Sequence, residues 1–205
     1  ISNCWAVRGG GAASSTLIRC RVIDNHTIAN GTKNPAGGSA SIAAAGIQGG
    51  MLYDSYVTEY AMNLTEARNC TFAGSVGRNG SGSTSVYNCY ISSDSGYLRH
   101  YNSVLAYSIK AGTSQAKDDN CVTNTLLKFD ANLRPDRTDP TTAAFAIDRG
   151  NADYYVYPSA AASEAGKDLV GGQRIYNGRI DVGCGEVDWR GDYTRNLSAD
   201  RRFAV

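Results

Sequence analysis

Histidine, proline and net charge are all scarce in this chain, and each scarcity removes something. Of 205 residues only two are histidine, His26 and His100. Neither stands in a nucleophile motif, so a Ser-His-Asp arrangement has no candidate. Four prolines against 23 glycines suit strands and tight turns better than long amphipathic helices, because glycine supplies turns with positive φ. Twenty Lys and Arg balance 19 Asp and Glu for a formal net charge of +1. That balance leaves no electrostatic footprint for nucleic acid or an anionic membrane surface. No apolar run reaches about 18 residues, so membrane insertion by a helix is not expected. Ile1-Ser2-Asn3-Cys4 carries neither the basic nor the apolar region of a signal peptide. Because it opens inside a repeat phrase, the chain is expected to be a piece of something longer.

What the chain does have is a recurring phrase. Asn3-Cys4, Arg19-Cys20, Asp54-Ser55, Asn69-Cys70, Asn88-Cys89, Asn102-Ser103 and Asn120-Cys121 each place a small residue after a turn-former and before β-forming residues. Most of the intervals between them match one coil of a β-solenoid with a loop of variable length. The expected fold class is therefore all-β: a right-handed parallel β-helix, a single-stranded solenoid with an irregular C-terminal cap.

Five of the six cysteines sit at the same place in this phrase, so stacking coils would line them up as an inward ladder of small side chains. Cys4 and Cys20, and likewise Cys70 and Cys89, are expected as neighbours on adjacent coils, with free thiols favoured over disulfides because in-register parallel strands fit the S–S dihedral poorly. Zinc is disfavoured, since no two cysteines lie closer than 16 residues and zinc sites use short paired spacings. Asn3, Asn69, Asn88 and Asn120 are the matching candidates for an amide ladder, in which side-chain amides hydrogen-bond from coil to coil.

Residues 1–125 read as the coils, 126–187 as a cap closing the open end of the core, and 188–205 as a tail or linker. The stretch His26 to Gly38 and the shorter Asn79-Gly80-Ser81-Gly82-Ser83 are the expected loop excursions. Ala160 to Ala165 is the one expected helical turn.

Three phrases within the cap carry a resemblance. Ala146-Ile147-Asp148-Arg149-Gly150, then Lys167-Asp168-Leu169-Val170-Gly171-Gly172-Gln173-Arg174-Ile175, then Ile180-Asp181-Val182-Gly183-Cys184-Gly185-Glu186 resemble the ending of secreted bacterial right-handed parallel β-helix proteins. These are the choice-of-anchor Q or polymorphic outer-membrane-like repeat proteins. The chain departs from the pattern at Arg149, Cys184 and Gly185. The resemblance implies the fold and a secreted or cell-surface bacterial location, and it leaves function open, because the family spans adhesin-like and carbohydrate-associated proteins. Physically, Asp148, Asp168, Arg174, Asp181 and Glu186 are expected to pair with one another or to cap turns.

A lyase of this architecture would need a base and a cation. Arg99, His100 and Tyr101 are the catalytic candidates, and Asp118 with Asp119 the candidate ligands for Ca²⁺, the one cofactor considered. Strand alternation sends His100 to the face opposite Arg99 and Tyr101, so the basic groups should not converge. The favoured expectation is accordingly a non-enzymatic, adhesin-like scaffold that binds a polysaccharide or glycan through tyrosines, Tyr56, Tyr90 and Tyr97 foremost, since aromatic faces cover sugar C–H groups. A polysaccharide lyase or glycoside hydrolase is the first alternative. Self-association through an open solenoid end is the second.

Overall fold

The computed structural model describes residues 1–6, 9–29, 32–34, 45–78, 82–109, 112–176 and 178–187. The expected tail 188–205 lies outside the described residues, as do 35–38 of the first excursion and 79–81 of the second. In chain order the strands are β1 (Trp5–Ala6), β2 (Ala12–Ile18), β3 (Arg21–Val22), β4 (His26–Ala29), β5 (Thr32–Asn34), β6 (Ile47–Tyr53), β7 (Tyr56–Val57) and β8 (Ala61–Met62). They continue with β9 (Glu66–Arg68), β10 (Thr71–Gly77), β11 (Thr84–Tyr87), β12 (Tyr90–Asp94), β13 (Leu98–Tyr101), β14 (Val104–Leu105) and β15 (Gln115–Ala116).

Parallel pairing stacks these strands into three columns, and the chain is a parallel β-helix. The first column runs β2, β6, β9, β11, β13, β15. The second runs β3, β7, β10, β12, β14 and ends on a bridge from Val104 to Val122. The third joins the start of β6, β8 and the end of β10. Strands β10 and β12 pass from the second column to the third, and their register shifts between Phe72 and Ser75. Alternation along each strand sends one side chain in and the next out. The inward set includes Leu52, Ala67 and Val86 from the first column, Val57, Phe72, Ile91 and Leu105 from the second, and Ile47, Ala61 and Val76 from the third. All are buried, and they form one continuous apolar core. At the N-terminal end β1, β4 and β5 make a separate sheet, with β4 and β5 antiparallel as a hairpin inside the expected excursion.

The segment 126–187 lies differently from expectation. It runs back along the flank of the coils, with Asn151 beside Asn88, Tyr154 beside Arg68 and Tyr157 beside Asp54. A second apolar cluster joins it to the outer side of the second column: Leu127, Ala146, Val182 and Phe129 pack on Tyr90, Val104 and Val122. The physical reason is that Tyr90 and Val104 point outward from their strands and need cover. Besides a 3₁₀ turn at Ser159–Glu164, where a helical turn was expected, the segment holds a short helix α1 (Pro140–Phe145). Asp139 caps α1 by accepting a hydrogen bond from the Thr142 N–H, and Pro140 occupies its first turn, a helix start that was written in Asp139-Pro140.

Candidate functional site

The recurring phrase is a left-handed corner. Arg19, Asp54, Asn69, Asn88 and Asn102, each the residue before the small one, all have φ between 43° and 52°. Asn and Asp tolerate that region best among residues with a side chain. The small residue that follows folds back: the Cys20, Cys70 and Cys89 thiols and the Ser55 and Ser103 hydroxyls each donate to the carbonyl two residues earlier. Three of them, Ser55, Cys89 and Ser103, also accept an N–H from the preceding coil, from Cys20, Cys70 and Cys89 respectively. All six cysteines are free thiols.

The amide ladder comprises Asn69, Asn88 and Asn102. Asn102 Nδ2 donates to Asn88 Oδ1 at 2.7 Å, and Asn88 Nδ2 donates to Asn69 Oδ1 at 3.0 Å. Two expected members stand apart. Asn3 adopts the corner conformation but is exposed, and Cys4 aligns with Asn25, whose Oδ1 accepts its N–H, and not with Cys20. Asn120 is exposed and does not take the left-handed conformation; Asp118 stands at that end instead, its Oδ1 accepting the Asn102 N–H at 2.8 Å. The last coil is closing there, and a carboxylate can take the backbone N–H of the coil before it. Cys121 keeps its place, half-buried, with its thiol donating to the His100 carbonyl.

The flanking segment docks on these corners through charge. Among the described residues Arg174 is the largest fully buried side chain. Its Nε lies 3.1 Å from Asp54 Oδ1, its Nη1 lies 3.3 Å from Glu186 Oε2, and its Nη2 donates to the Asp181 and Gly183 carbonyls. Tyr157 donates its hydroxyl proton to Asp54 Oδ2. Asp168 accepts the N–H groups of Val170, Gly172 and Glu186, and Asp181 those of Asp148 and Val187. Burial raises the Asp54 carboxyl to about 7, Asp181 to about 6 and Glu186 to about 9, each against the pull of Arg174. Arg174 moves up: burial opposes its charge, but Asp54, Glu186 and Asp181 together outweigh that. Four of the five residues drawn from the C-terminal phrases thus meet in one cluster. Asp148 stands at its edge, 3.6 Å from exposed Arg179. Asp54, the coil's contribution, was missed because nothing local in Tyr53-Asp54-Ser55 separates an ion-pair partner from an ordinary corner residue.

The catalytic candidates do not converge. Arg99 is exposed, His100 is wholly inside the core, and Tyr101 is stacked on Tyr87 at 4.6 Å under Tyr154. Among the described residues neither His100 ring nitrogen has a hydrogen-bond partner; Asp94 lies 4.0 Å away, and burial lowers the imidazole to about 4. The Asp118 oxygens accept from Asn102, Asn120 and Tyr154, while Asp119 is exposed, and among the described residues neither joins a cluster of three metal-ligating side chains. The carboxylates that do approach one another are Asp148, Asp181 and Glu186, with an oxygen from each within 4.8 Å of the others. Asp181 there accepts two N–H groups and Arg174 supplies the positive charge, so this trio already has its counter-ion.

Two of the concave surfaces among the described residues bear on these candidates. Tyr56 and Tyr90 line a groove of about 350 Å³ with Thr71, Ala73 and Ser92 from the coils and Leu127, Phe129, Asp130 and Leu133 from the flanking segment. Tyr90 packs on Phe129 with ring centroids 5.3 Å apart. Tyr97, the third tyrosine proposed for a ligand, is exposed at a left-handed corner and takes no part in this groove. A larger cleft of about 640 Å³ opens where the amide ladder ends, between Asn102, Asp119 and Asn120 of the last coils and Phe145, Asp148 and Arg149 of the flanking segment. No protein-family profile, curated protein or solved structure matches the chain.

Proposed function

We propose that this chain is a non-enzymatic carbohydrate-binding β-solenoid module, secreted or displayed on a bacterial surface in an adhesin-like role. The observation that carries this reading is the groove at Tyr56 and Tyr90. It joins the half-buried rings of Tyr56 and Phe129, over a floor of buried Tyr90 and Thr71, to the hydroxyl of Ser92 and the carboxylate of Asp130. Sugars are bound by that combination, because a ring covers their apolar C–H face while short polar groups meet the hydroxyls. The location rests on the resemblance of the three C-terminal phrases. Binding without cleavage is favoured over a lyase or glycosidase by the separation of Arg99, His100 and Tyr101, since acid–base catalysis requires its groups within reach of one substrate atom.

The test is a glycan-array screen run beside assays for new reducing ends and unsaturated products on the same polysaccharides, with and without Ca²⁺. Binding without product is expected. Product formation makes the chain an enzyme and overturns the reading, as does an array with no binder.

A further inference from the structure

The amide ladder has a direction, and its last oxygen accepts no hydrogen bond among the described residues. Each rung donates Nδ2 to the Oδ1 of the rung before it, from Asn102 to Asn88 to Asn69. The second Nδ2 hydrogen of Asn102 goes to the Arg149 carbonyl at 2.8 Å. Two carbonyl acceptors therefore fix which end of the Asn102 amide is nitrogen. In Asn88 the oxygen is used as well, receiving Asn102 Nδ2 and the Asn151 N–H. Asn102 Oδ1 receives no hydrogen bond among the described residues, although Asn102 is only 4 % exposed. By the ladder's repeat that oxygen addresses the next corner, which Asn120 has left for the surface, and there the large cleft lies.

The cleft's lining narrows what can fill it. Half-buried Val122 gives it apolar surface, with Val104 and Val182 buried beneath, Phe145 is an exposed ring, Asn120 and Arg149 carry N–H donors, and Asp119 and Asp148 carry carboxylate acceptors. A ligand that matches needs an N–H to complete the ladder, a small apolar group for Val122, an acceptor for the donors, and a ring face for Phe145 whose hydroxyls meet Asp119 and Asp148. An acetamido group supplies the first three within one unit, and a pyranose ring supplies the fourth. We propose that the cleft at the end of the ladder is a second binding site, specific for N-acetylated amino sugars, with the acetamido N–H donating to Asn102 Oδ1. The site shares no residue with the Tyr56 groove, so it stands or falls separately from that reading.

The experiment is a chemical-shift titration of the full chain with N,N′-diacetylchitobiose, its fully deacetylated counterpart and cellobiose, on the native protein and on Phe145→Ala, Asn102→Asp, Val156→Ala and Tyr56→Ala. The acetylated disaccharide should bind at least about tenfold more tightly than either of the others, the difference one well-placed hydrogen bond and its methyl contact make. Phe145→Ala should weaken it about tenfold, and Val156→Ala, exposed and outside both sites, should leave it unchanged. Phe145 is on the surface, so that variant reads the site even if Asn102→Asp fails to fold. No binding, equal binding of the acetylated and deacetylated sugars, or full binding by Phe145→Ala each overturns the proposal. Loss of binding in Tyr56→Ala alone places the sugar in the other groove and overturns it as well.

Discussion

Arg174 and Asp54 form an ion pair at 3.1 Å between two wholly buried side chains, one from the flanking segment and one from a coil corner. The pair ties the C-terminal phrases to the middle of the solenoid. Removing one partner strands a charge in a medium that solvates it poorly, and such a loss costs about 3–5 kcal/mol. Arg174→Met should therefore lower the urea-unfolding free energy by about that amount. A double change, Asp54→Leu with Arg174→Met, should recover part of the loss. A single Arg174→Met with unchanged stability would contradict the buried pairing.

Stability should rise as pH falls from about 9 towards 4. Asp54, Asp181 and Glu186 all have folded-state values above their ordinary ones, about 7, 6 and 9, so the folded state holds protons that the unfolded chain has released. Their contribution is full below the unfolded values and is lost as pH rises through the folded ones. His100 works in the opposite sense: lowered to about 4, it stabilises above its ordinary 6.5 and loses that contribution as pH drops. Three groups against one set the sign between pH 6.5 and 4. Thermal melts at constant ionic strength from pH 4.5 to 9 check it, and a midpoint that climbs with pH would refute it.

Asn88 is the centre of the corner ladder, with four hydrogen bonds through its side chain, to Asn69, Asn102 and both backbone groups of Asn151. Asn88→Ala leaves those partners buried and unpaired and adds strain at φ 52°. The expected loss is about 3 kcal/mol or more. Asn120→Ala, with its exposed side chain, should change stability by less than about 0.5 kcal/mol. Comparable losses in the two variants would return Asn120 to the ladder.

The contrast between those residues shows how far the amino-acid order reaches. The corners were readable because Asn or Asp before a small residue leaves a local signature, whereas α1 starts from a different one, an extended Asp139 N-cap before Pro140, that sequence reading passed over. Asn120 carries the signature without the structure, since its role depends on whether another coil stacks beyond it. The course of 126–187 along the flank was not readable at all. It is set by Arg174 meeting Asp54, by Tyr157 meeting Asp54 and by Phe129 covering Tyr90, and contacts so distant in sequence leave no periodic trace.

Thiol reactivity should follow burial. Cys4 is exposed, Cys20 and Cys121 are half-buried, and Cys70, Cys89 and Cys184 are buried, with burial raising the Cys70 and Cys184 thiols and so suppressing their thiolates. A disulfide-exchange reagent should label Cys4 first in the native protein, and Cys70, Cys89 and Cys184 only after unfolding. Six thiols should titrate in denaturant without reductant; four would reveal a disulfide.

The most direct measurement of the central claim is calorimetric titration of the best glycan from the array against the native chain, Tyr56→Ala and Phe129→Ala. If the groove is the sugar site, each variant should keep the native far-ultraviolet spectrum and weaken binding about tenfold or more. Folded variants that bind as well as the native chain would contradict the assignment of the groove.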